Sequence, residues 1–194
     1  MQASVTRKPP VIASEVVNAC VEGAEWAWRE IIRETSPAFL ATARAMLQDR
    51  LAAEDALQET YLKAFQNLKH LRDRSRLVPW MYRILMNECR MILRARRAKP
   101  AVSMDEFPLP FEDPTDATEQ MAAQATVEAL LSALPAKLRE VFVLRELHEM
   151  EYVEIARALR IPVGTVRSRL SRAREIWTEV GKAALTHEPA PQTS

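Results

Sequence analysis

Apolar residues recur every three or four positions along most of the chain, and no segment shows the strict alternation that is typical of a strand. The sequence therefore predicts an all-α protein. Two helical domains are expected over residues 15–99 and 119–184, with a proline-bearing acidic linker over residues 100–118. Residues 1–14 and 185–194 are expected to form flexible tails.

The second predicted domain contains the most specific pattern, three short helices over residues 136–148, 152–159 and 163–180. Val166 and Leu170 lie on the apolar side of the last helix. Its opposite side mixes short hydroxyl residues with arginines, which allows close approach to the major groove of DNA and contact with bases or phosphates. The positions on this side are Thr165, Arg167, Ser168, Ser171 and Arg172. The pattern predicts a DNA-binding helix-turn-helix, and the alternative is an amphipathic hairpin with solvated basic residues.

The first domain carries a second candidate nucleic-acid surface. Pro79 can begin a helix over residues 80–97, because proline at the first helical turn loses no needed hydrogen bond. Cations and one amide repeat along one side of this helix, as a phosphate-lined partner requires. With the basic loop that precedes it, the candidate residues are Lys69, Arg72, Arg74, Arg76, Trp80, Arg83, Asn87, Arg90 and Arg94. Trp80 either stacks on a base or packs into the core.

A helix predicted over residues 51–68 has two different sides. Leu57, Tyr61, Ala64 and Leu68 are expected to be buried. The opposite side places one leucine among carboxylates and amides, at Asp55, Gln58, Glu59 and Leu62. Such a side either contacts a basic partner or is a solvated surface with one stray apolar residue.

Charge is segregated along the chain, although the net charge is only +1. Residues 69–99 hold ten basic residues against Asp73 and Glu88, and residues 157–174 hold six arginines and no acid. Residues 101–128 hold seven acids and no base. This distribution predicts two separate basic surfaces joined by an acidic segment, whereas ordinary solvated charge usually mixes the signs.

The remaining composition excludes several functions. No apolar run approaches the roughly 20 residues of a membrane helix, and the start lacks the apolar core of a signal peptide, so a cytoplasmic protein is expected. Cys20 and Cys89 have no metal-ligand spacing and are expected to be buried free thiols. His148-Glu149 lacks the second histidine of a zinc protease, because that position holds Tyr152. We expect no metal, no cofactor and no enzymatic activity.

Several of these segments resemble the extracytoplasmic-function (ECF) sigma factors of bacterial RNA polymerase. Residues 53–65 (AEDALQETYLKAF) are similar to their core-polymerase-binding helix, and residues 80–84 (WMYRI) with Asn87 are similar to their −10 helix. Residues 138–142 (LREVF), 152–156 (YVEIA) and 162–170 (PVGTVRSRL) resemble their −35-binding domain. The resemblance covers residues 19–184.

The resemblance implies a role for each surface. Asp55, Gln58, Glu59 and Leu62 would bind the coiled coil of the polymerase β′ clamp. Residues 69–76 with Asn87, Arg90 and Arg94 would bind the opened −10 strand. Arg167, Ser168, Ser171 and Arg172 would enter the −35 major groove, and residues 138–144 would face the β flap. An anti-sigma factor is also expected.

Two positions depart from the pattern of this family. Arg160 occupies a turn position that usually holds glycine, and a left-handed arginine there would cost roughly 1 kcal/mol. Ser171 stands where a larger residue is frequent, which affects the −35 sequence preference. A conventional helix-turn-helix regulator and a protein-binding adaptor are the alternatives, and neither explains both the acidic side and the arginine row of the first domain.

Overall fold

The computed structural model describes residues 9–98 and 119–185, which we call the first half and the second half. The expected linker, most of the expected N-terminal tail and nearly all of the C-terminal tail lie outside these residues. Within the described ranges there is no strand, and the α-helices are α1 (Ser14–Val21), α2 (Glu25–Leu47), α3 (Arg50–Asn67), α4 (Leu77–Ala98), α5 (Glu119–Ala133), α6 (Ala136–Phe142), α7 (Tyr152–Leu159) and α8 (Val163–Leu185). No helix in these ranges could span a membrane.

The first half is built on α2, α3 and α4, which pack on one another. The side chain of Asp49 caps α3 by accepting a hydrogen bond from the amide of Ala52 at 3.0 Å. Large apolar side chains of α2 and α4, such as Phe39 and Tyr82, fill the core with their rings 4.5 Å apart. These contacts fix the orientation of the sides of α3 and α4 that remain exposed.

The buried side of α3 agrees with the predicted stripe at Ala64 and Leu68 and differs from it at Leu57 and Tyr61. Ala53, Ala56, Thr60 and Ala64 are buried, whereas Leu57 and Tyr61 are only half-buried. Small residues let α3 approach its neighbours closely, so the larger residues lie at the edges of the contact. Tyr61 instead places its hydroxyl 2.7 Å from the hydroxyl of Thr35 on α2.

The second half contains the expected helix-turn-helix, and α7 has the bounds that the sequence predicts. The first helix of the motif differs from the prediction, because α6 ends at Phe142 and a π-helical segment follows over Val143–Leu147. A capping box starts α7, in which the amide of Glu151 donates to the side chain of Glu154 at 2.8 Å. Helix α8 packs on both α6 and α7, and Leu144 of the π-helical segment and Ile155 of α7 are fully buried.

The two halves share one continuous core, although the sequence predicts two separate domains joined by a linker. His148 of the second half is only 1% exposed and lies 5.5 Å from the ring of Tyr82 in the first half, centroid to centroid. Its Nε2 is 2.6 Å from the hydroxyl of Thr42 on α2. The structure thus describes a closed arrangement of the two halves.

The prediction of buried free thiols at Cys20 and Cys89 is confirmed. Burial raises the pKa of Cys20 to about 11, and burial together with the charge of Glu140 raises the pKa of Cys89 to about 12. Because a thiol must ionise to react, we expect neither cysteine to react with Ellman's reagent at pH 7.5 unless the chain unfolds. Rapid reaction of a native thiol would contradict this burial.

The same pKa shifts give a direction to the pH dependence of stability. In the unfolded chain the pKa of each thiol is roughly 8.5, which is below the pKa of either thiol in the folded chain. The contribution of the two protonated thiols to the free energy of unfolding is therefore complete below pH 8.5, approximately, and it is lost as the pH rises towards the folded pKa values. We expect urea midpoints to fall between pH 8.5 and 10, approximately, and to fall less in a Cys20→Ala variant.

Candidate functional site

The outward side of α8 has the exposure that a DNA-reading helix requires. Val166, Leu170 and Ala173 are buried and fix the rotation of the helix. The residues on its outward side, which we call the α8 face, are Thr165, Arg167, Ser168, Ser171 and Arg172. All are exposed except Thr165, which is half-buried.

The arginines of the α8 face are available to an external partner. Arg167 and Arg172 form no ion pair within the described part of the chain, whereas Arg174 on the same helix binds Glu146 with its Nη2 at 2.6 Å. The hydroxyl of Ser171 donates to the Glu175 carboxylate at 3.3 Å, which is a long hydrogen bond that DNA could replace. The face therefore offers two unpaired cations beside small polar residues, and it can bind an anionic groove.

The turn before α8 is retained despite the absence of glycine. Arg160 adopts the left-handed conformation with φ 55° and ψ 48°, and its amide donates to the carbonyl of Ala156. The amide of Ile161 donates to the same carbonyl at 3.0 Å. These hydrogen bonds end α7 in the same way as they would with glycine at this position. The cost of having Arg160 instead of glycine is therefore backbone strain at this one residue.

Replacing Arg160 with Gly is expected to stabilise the fold by about 1 kcal/mol, because glycine adopts positive φ without a Cβ clash. Arg160→Ala is the matched control, since it loses the same charge and keeps the Cβ atom. Thermal unfolding followed by circular dichroism should give a melting temperature about 2–4 °C higher for the glycine variant than for the alanine variant. Equal melting temperatures would show that the turn carries no such strain.

The candidate row on α4, which we call the α4 row, consists of Arg83, Asn87, Arg90 and Arg94. Asn87 and Arg94 are exposed, and Arg83 is half-buried. Arg90 is already engaged, because its Nε and Nη2 donate to the two carboxylate oxygens of Glu140 in the second half at 2.6 and 2.7 Å. The row is therefore one surface, but only part of it faces solvent in this arrangement.

The loop before α4 holds its own cations in different ways. Arg74 donates to the carbonyls of Leu68 and Leu71, which stabilises the loop. Arg76 pairs with Asp73 at 2.6 Å, and a hydrogen bond from Ser75 lowers the pKa of Asp73.

The other cations of this loop face outward. Lys69 and Arg72 are exposed and form no ion pair among the described residues. Trp80 is half-buried and packs against the core, with part of its surface lining the cleft beside Arg83. The structure thus brings the loop cations and Trp80 next to the start of the α4 row.

The outward side of α3, which we call the α3 face, presents Asp55, Gln58, Glu59 and Leu62, all of them exposed. Leu62 keeps 49% of its surface exposed. Glu59 lies within 3.8 Å of Lys63, and Lys63 also binds the buried Glu88 at 2.6 Å.

The exposed side of α3 extends beyond the four residues of the α3 face. Leu51 is 72% exposed and Phe65 is 63% exposed, and they continue the row of Asp55, Gln58 and Leu62 at helical steps of four and three. The helical spacing of Leu51 and Phe65 is the signal for this continuation, but an exposed apolar residue and a buried one look alike in such a spacing. The result is an exposed apolar stripe with polar residues in its middle, which is typical of a protein-binding surface rather than of a solvated helix.

The described residues contain no group of histidines, cysteines and acids that could hold a metal ion. Their clefts are lined by arginines and helix side chains, as in the cleft of about 570 Å³ between Trp80 and Arg157. The chemistry that these surfaces can perform is binding, with cationic sides for nucleic acid and an acidic–apolar side for a protein.

Comparison with known protein families gives two matches along the chain. Residues 31–99 match the family described as sigma-70 region 2. Residues 124–176 match the family described as sigma-70, region 4. The first match contains the α3 face and the α4 row, and the second contains the α8 face.

Similar proteins carry related names. The chain is 35% identical over 140 residues to the RNA polymerase sigma-H factor of Pseudomonas aeruginosa, an alignment that covers 66% of this chain and 72% of the relative. It is 32% identical over 143 residues to the ECF RNA polymerase sigma factor SigW of Bacillus subtilis, covering 67% of this chain and 75% of SigW.

Two solved structures share the fold. CnrH, solved in complex with the cytosolic domain of CnrY, matches with a TM-score of 0.70 at 24% identity, covering 88% of this chain and 97% of CnrH. The sigma factor RpoE of Bartonella quintana, solved with the anti-sigma factor NepR, matches with a TM-score of 0.61 at 26% identity, covering 79% of this chain and 96% of RpoE.

Proposed function

This chain belongs to the ECF sigma factors, and we propose that its three exposed surfaces divide the work of directing RNA polymerase to promoters. It is a transcription initiation factor and not an enzyme. The α3 face binds core polymerase, the α8 face binds the −35 element, and the α4 row with its loop binds the −10 element.

The observation that carries this proposal is the α3 face. A conventional helix-turn-helix regulator needs no acidic–apolar protein-binding side on a separate half, yet Leu51, Leu62 and Phe65 all stay exposed here. Exposed apolar residues that flank a carboxylate fit a basic, partly apolar helical partner. By its position in the family motif, that partner is the coiled coil of the β′ clamp.

The DNA roles rest on charge and exposure. Arg167 and Arg172 of the α8 face would contact bases or phosphates of the −35 major groove, with Thr165, Ser168 and Ser171 allowing close approach. Asn87 and Arg94 would contact the −10 strand, assisted by Lys69 and Arg72, and Trp80 could stack on an exposed base.

The remaining surfaces fit further contacts of a sigma factor. Residues 138–144, which span the end of α6 and the start of the π-helical segment, would face the β flap of polymerase only after a rearrangement, because residues 139–144 are buried in this arrangement. Control by an anti-sigma factor also fits this chain, since RpoE of Bartonella quintana was solved with one.

Size-exclusion chromatography with purified core polymerase tests the proposal directly. We expect the chain to co-elute with core polymerase and to bind promoter DNA specifically only within that complex. A chain that binds promoter DNA tightly by itself, and does not join core polymerase, would instead be a conventional regulator.

A further inference from the structure

Two adjoining clefts lie where α7 packs on α4. Their volumes are about 570 and 580 Å³, and both are lined by Leu71, Trp80, Arg83 and Arg160. Clefts of this size are typical of sites for small molecules. Because they share these four residues, they form two compartments of one site, which we call the α4–α7 cleft.

The first compartment is cationic. It is lined by four arginines and two acids, namely Arg76, Arg83, Arg157, Arg160, Asp73 and Glu154. Both acids are already engaged, because Asp73 pairs with Arg76 at 2.6 Å and Glu154 accepts a hydrogen bond from the amide of Glu151 at 2.8 Å. The other three arginines form no ion pair among residues 9–98 and 119–185. This compartment therefore has three cations without a counter-charge.

The arginines of this compartment repel one another. Burial lowers the pKa of Arg83, and the positive charge of Arg160 lowers it further. An anion placed between these guanidinium groups removes the repulsion and accepts their N–H groups. Guanidinium binds phosphate oxygens through two parallel hydrogen bonds, and three such groups match the charge of a triphosphate.

The second compartment carries side chains that suit a nucleobase. Asn67, His70 and Asn87 line it and are exposed. An amide offers both a donor and an acceptor to the edge of a base. Trp80 is half-buried and borders both compartments, so its ring offers a surface on which a base can stack. The cleft thus has a place for phosphates beside a place for a base.

We propose that the α4–α7 cleft binds a nucleoside triphosphate, with its phosphates among Arg83, Arg157 and Arg160 and its base in the second compartment beside Trp80. The site differs from the −10 surface because α7 and its end supply two of the three phosphate ligands. A bound nucleotide and the −10 strand would exclude each other, since Trp80, Arg83 and Asn87 are candidates for both. The proposal does not rest on the proposed function.

Isothermal titration calorimetry of the full chain with ATP, GTP and inorganic tripolyphosphate tests this proposal without polymerase. We expect one nucleotide to bind per chain. Tripolyphosphate is expected to bind weaker by roughly fivefold or more, because it has no base to stack. Tripolyphosphate that binds as tightly as both nucleotides would overturn the assignment of a nucleotide. The absence of saturable binding of either nucleotide would overturn the site.

Replacing Arg157 with Gln tests the phosphate ligands. Arg157 is exposed and has no ion-pair partner among the described residues, so its loss costs the fold little. We expect ATP and tripolyphosphate to bind roughly tenfold weaker to this variant, as the loss of a charged hydrogen-bond donor predicts.

The matched control is Lys137→Gln, which removes an exposed cation that lines neither compartment. Its affinity for ATP is expected to stay within about twofold of wild type. Equal losses in Arg157→Gln and Lys137→Gln would show a general attraction of charge and would refute the site.

Replacing Trp80 with Leu tests the position of the base. The variant keeps an apolar side chain but has no ring, so ATP and GTP should bind weaker while tripolyphosphate binds as before. Asn87→Ala, at an exposed position, is expected to have the same selective effect and serves if Trp80→Leu loses its helical circular dichroism spectrum. An unchanged preference for nucleotides over tripolyphosphate in a folded Trp80→Leu variant and in Asn87→Ala would contradict this placement of the base.

Discussion

Replacing Asp55 with Arg is expected to abolish the co-elution of this chain with core RNA polymerase. Asp55 is exposed in the middle of the α3 face, between Leu51 and Leu62, and it forms no ion pair among the described residues. The substitution therefore removes nothing that holds the fold. It places a cation against the basic partner that this face fits, and like charges at an interface cost several kcal/mol, on the order of a hundredfold or more in affinity.

The control for this experiment is Glu22→Arg, which makes the same charge change at an exposed acid of the first half, outside α3. Both variants should keep the wild-type circular dichroism spectrum and melting temperature. Only Asp55→Arg should fail to join core polymerase. Retained co-elution of Asp55→Arg would remove the α3 face from the polymerase interface.

Replacing Arg172 with Ala is expected to weaken transcription from a −35-dependent promoter by about 1–3 kcal/mol, or roughly 5- to 150-fold. Arg172 is exposed on the α8 face and has no ion-pair partner within the described residues, so its loss costs the fold little. The loss should appear in promoter binding by the polymerase complex and not in assembly of that complex.

The matched control is Arg174→Ala, which removes the same charge from the same helix. Arg174 is held by Glu146 at 2.6 Å and is not one of the proposed DNA contacts. We expect transcription by this variant to stay within about twofold of wild type, as is usual for a surface substitution. Equal losses in the two variants would indicate a general charge effect, and no loss in Arg172→Ala would refute its −35 role.

The features that the sequence predicted correctly are those that depend on local periodicity. Helix α7 and the start of α8 follow from the spacing of Ile155, Leu159 and Val166 and from Pro162, which limits where the helices can continue, whereas Val153, which the same spacing places on the inner side, is 47% exposed. The family resemblance is likewise confirmed by the matches over residues 31–99 and 124–176. Periodicity reports which side of a helix is apolar, and this is enough to recognise helices and their exposed sides.

The features that local sequence patterns do not predict are those that depend on contacts between residues far apart in the chain. Glu140 lies 50 positions from Arg90, and His148 lies 106 positions from Thr42, so no local pattern links either pair. The sequence predicts Arg90 on an open DNA-binding row, whereas in this arrangement its side chain is half-buried against Glu140. A charged residue at a helical surface position carries no local sign of a partner on another element.

The difference at α3 has a similar origin. The sequence favours Leu57 and Tyr61 for the core because they follow the helical spacing of the apolar residues Ala64 and Leu68. The structure instead buries Ala56 and Thr60, since α3 packs on both α2 and α4 and small side chains allow close approach to both helices. Size complementarity between neighbours, and not hydrophobicity alone, decides which residues are buried here.

Arg160 shows how a departure from a family pattern can keep the structure. The backbone hydrogen bonds to Ala156 are made with a left-handed arginine in place of glycine. The side chain that results brings a cation to the boundary with Arg83. An arginine at this position thus strains the turn and also adds a positive charge beside Arg83 at the boundary between the halves.

Run-off transcription with purified core RNA polymerase, across a set of genomic promoters that includes the one upstream of this chain's own gene, measures the central claim most directly. We expect discrete transcripts only when the chain and core polymerase are both present, with none from Asp55→Arg. Absence of any directed transcript from the wild-type complex, or equal transcript levels with and without the chain, would contradict the account.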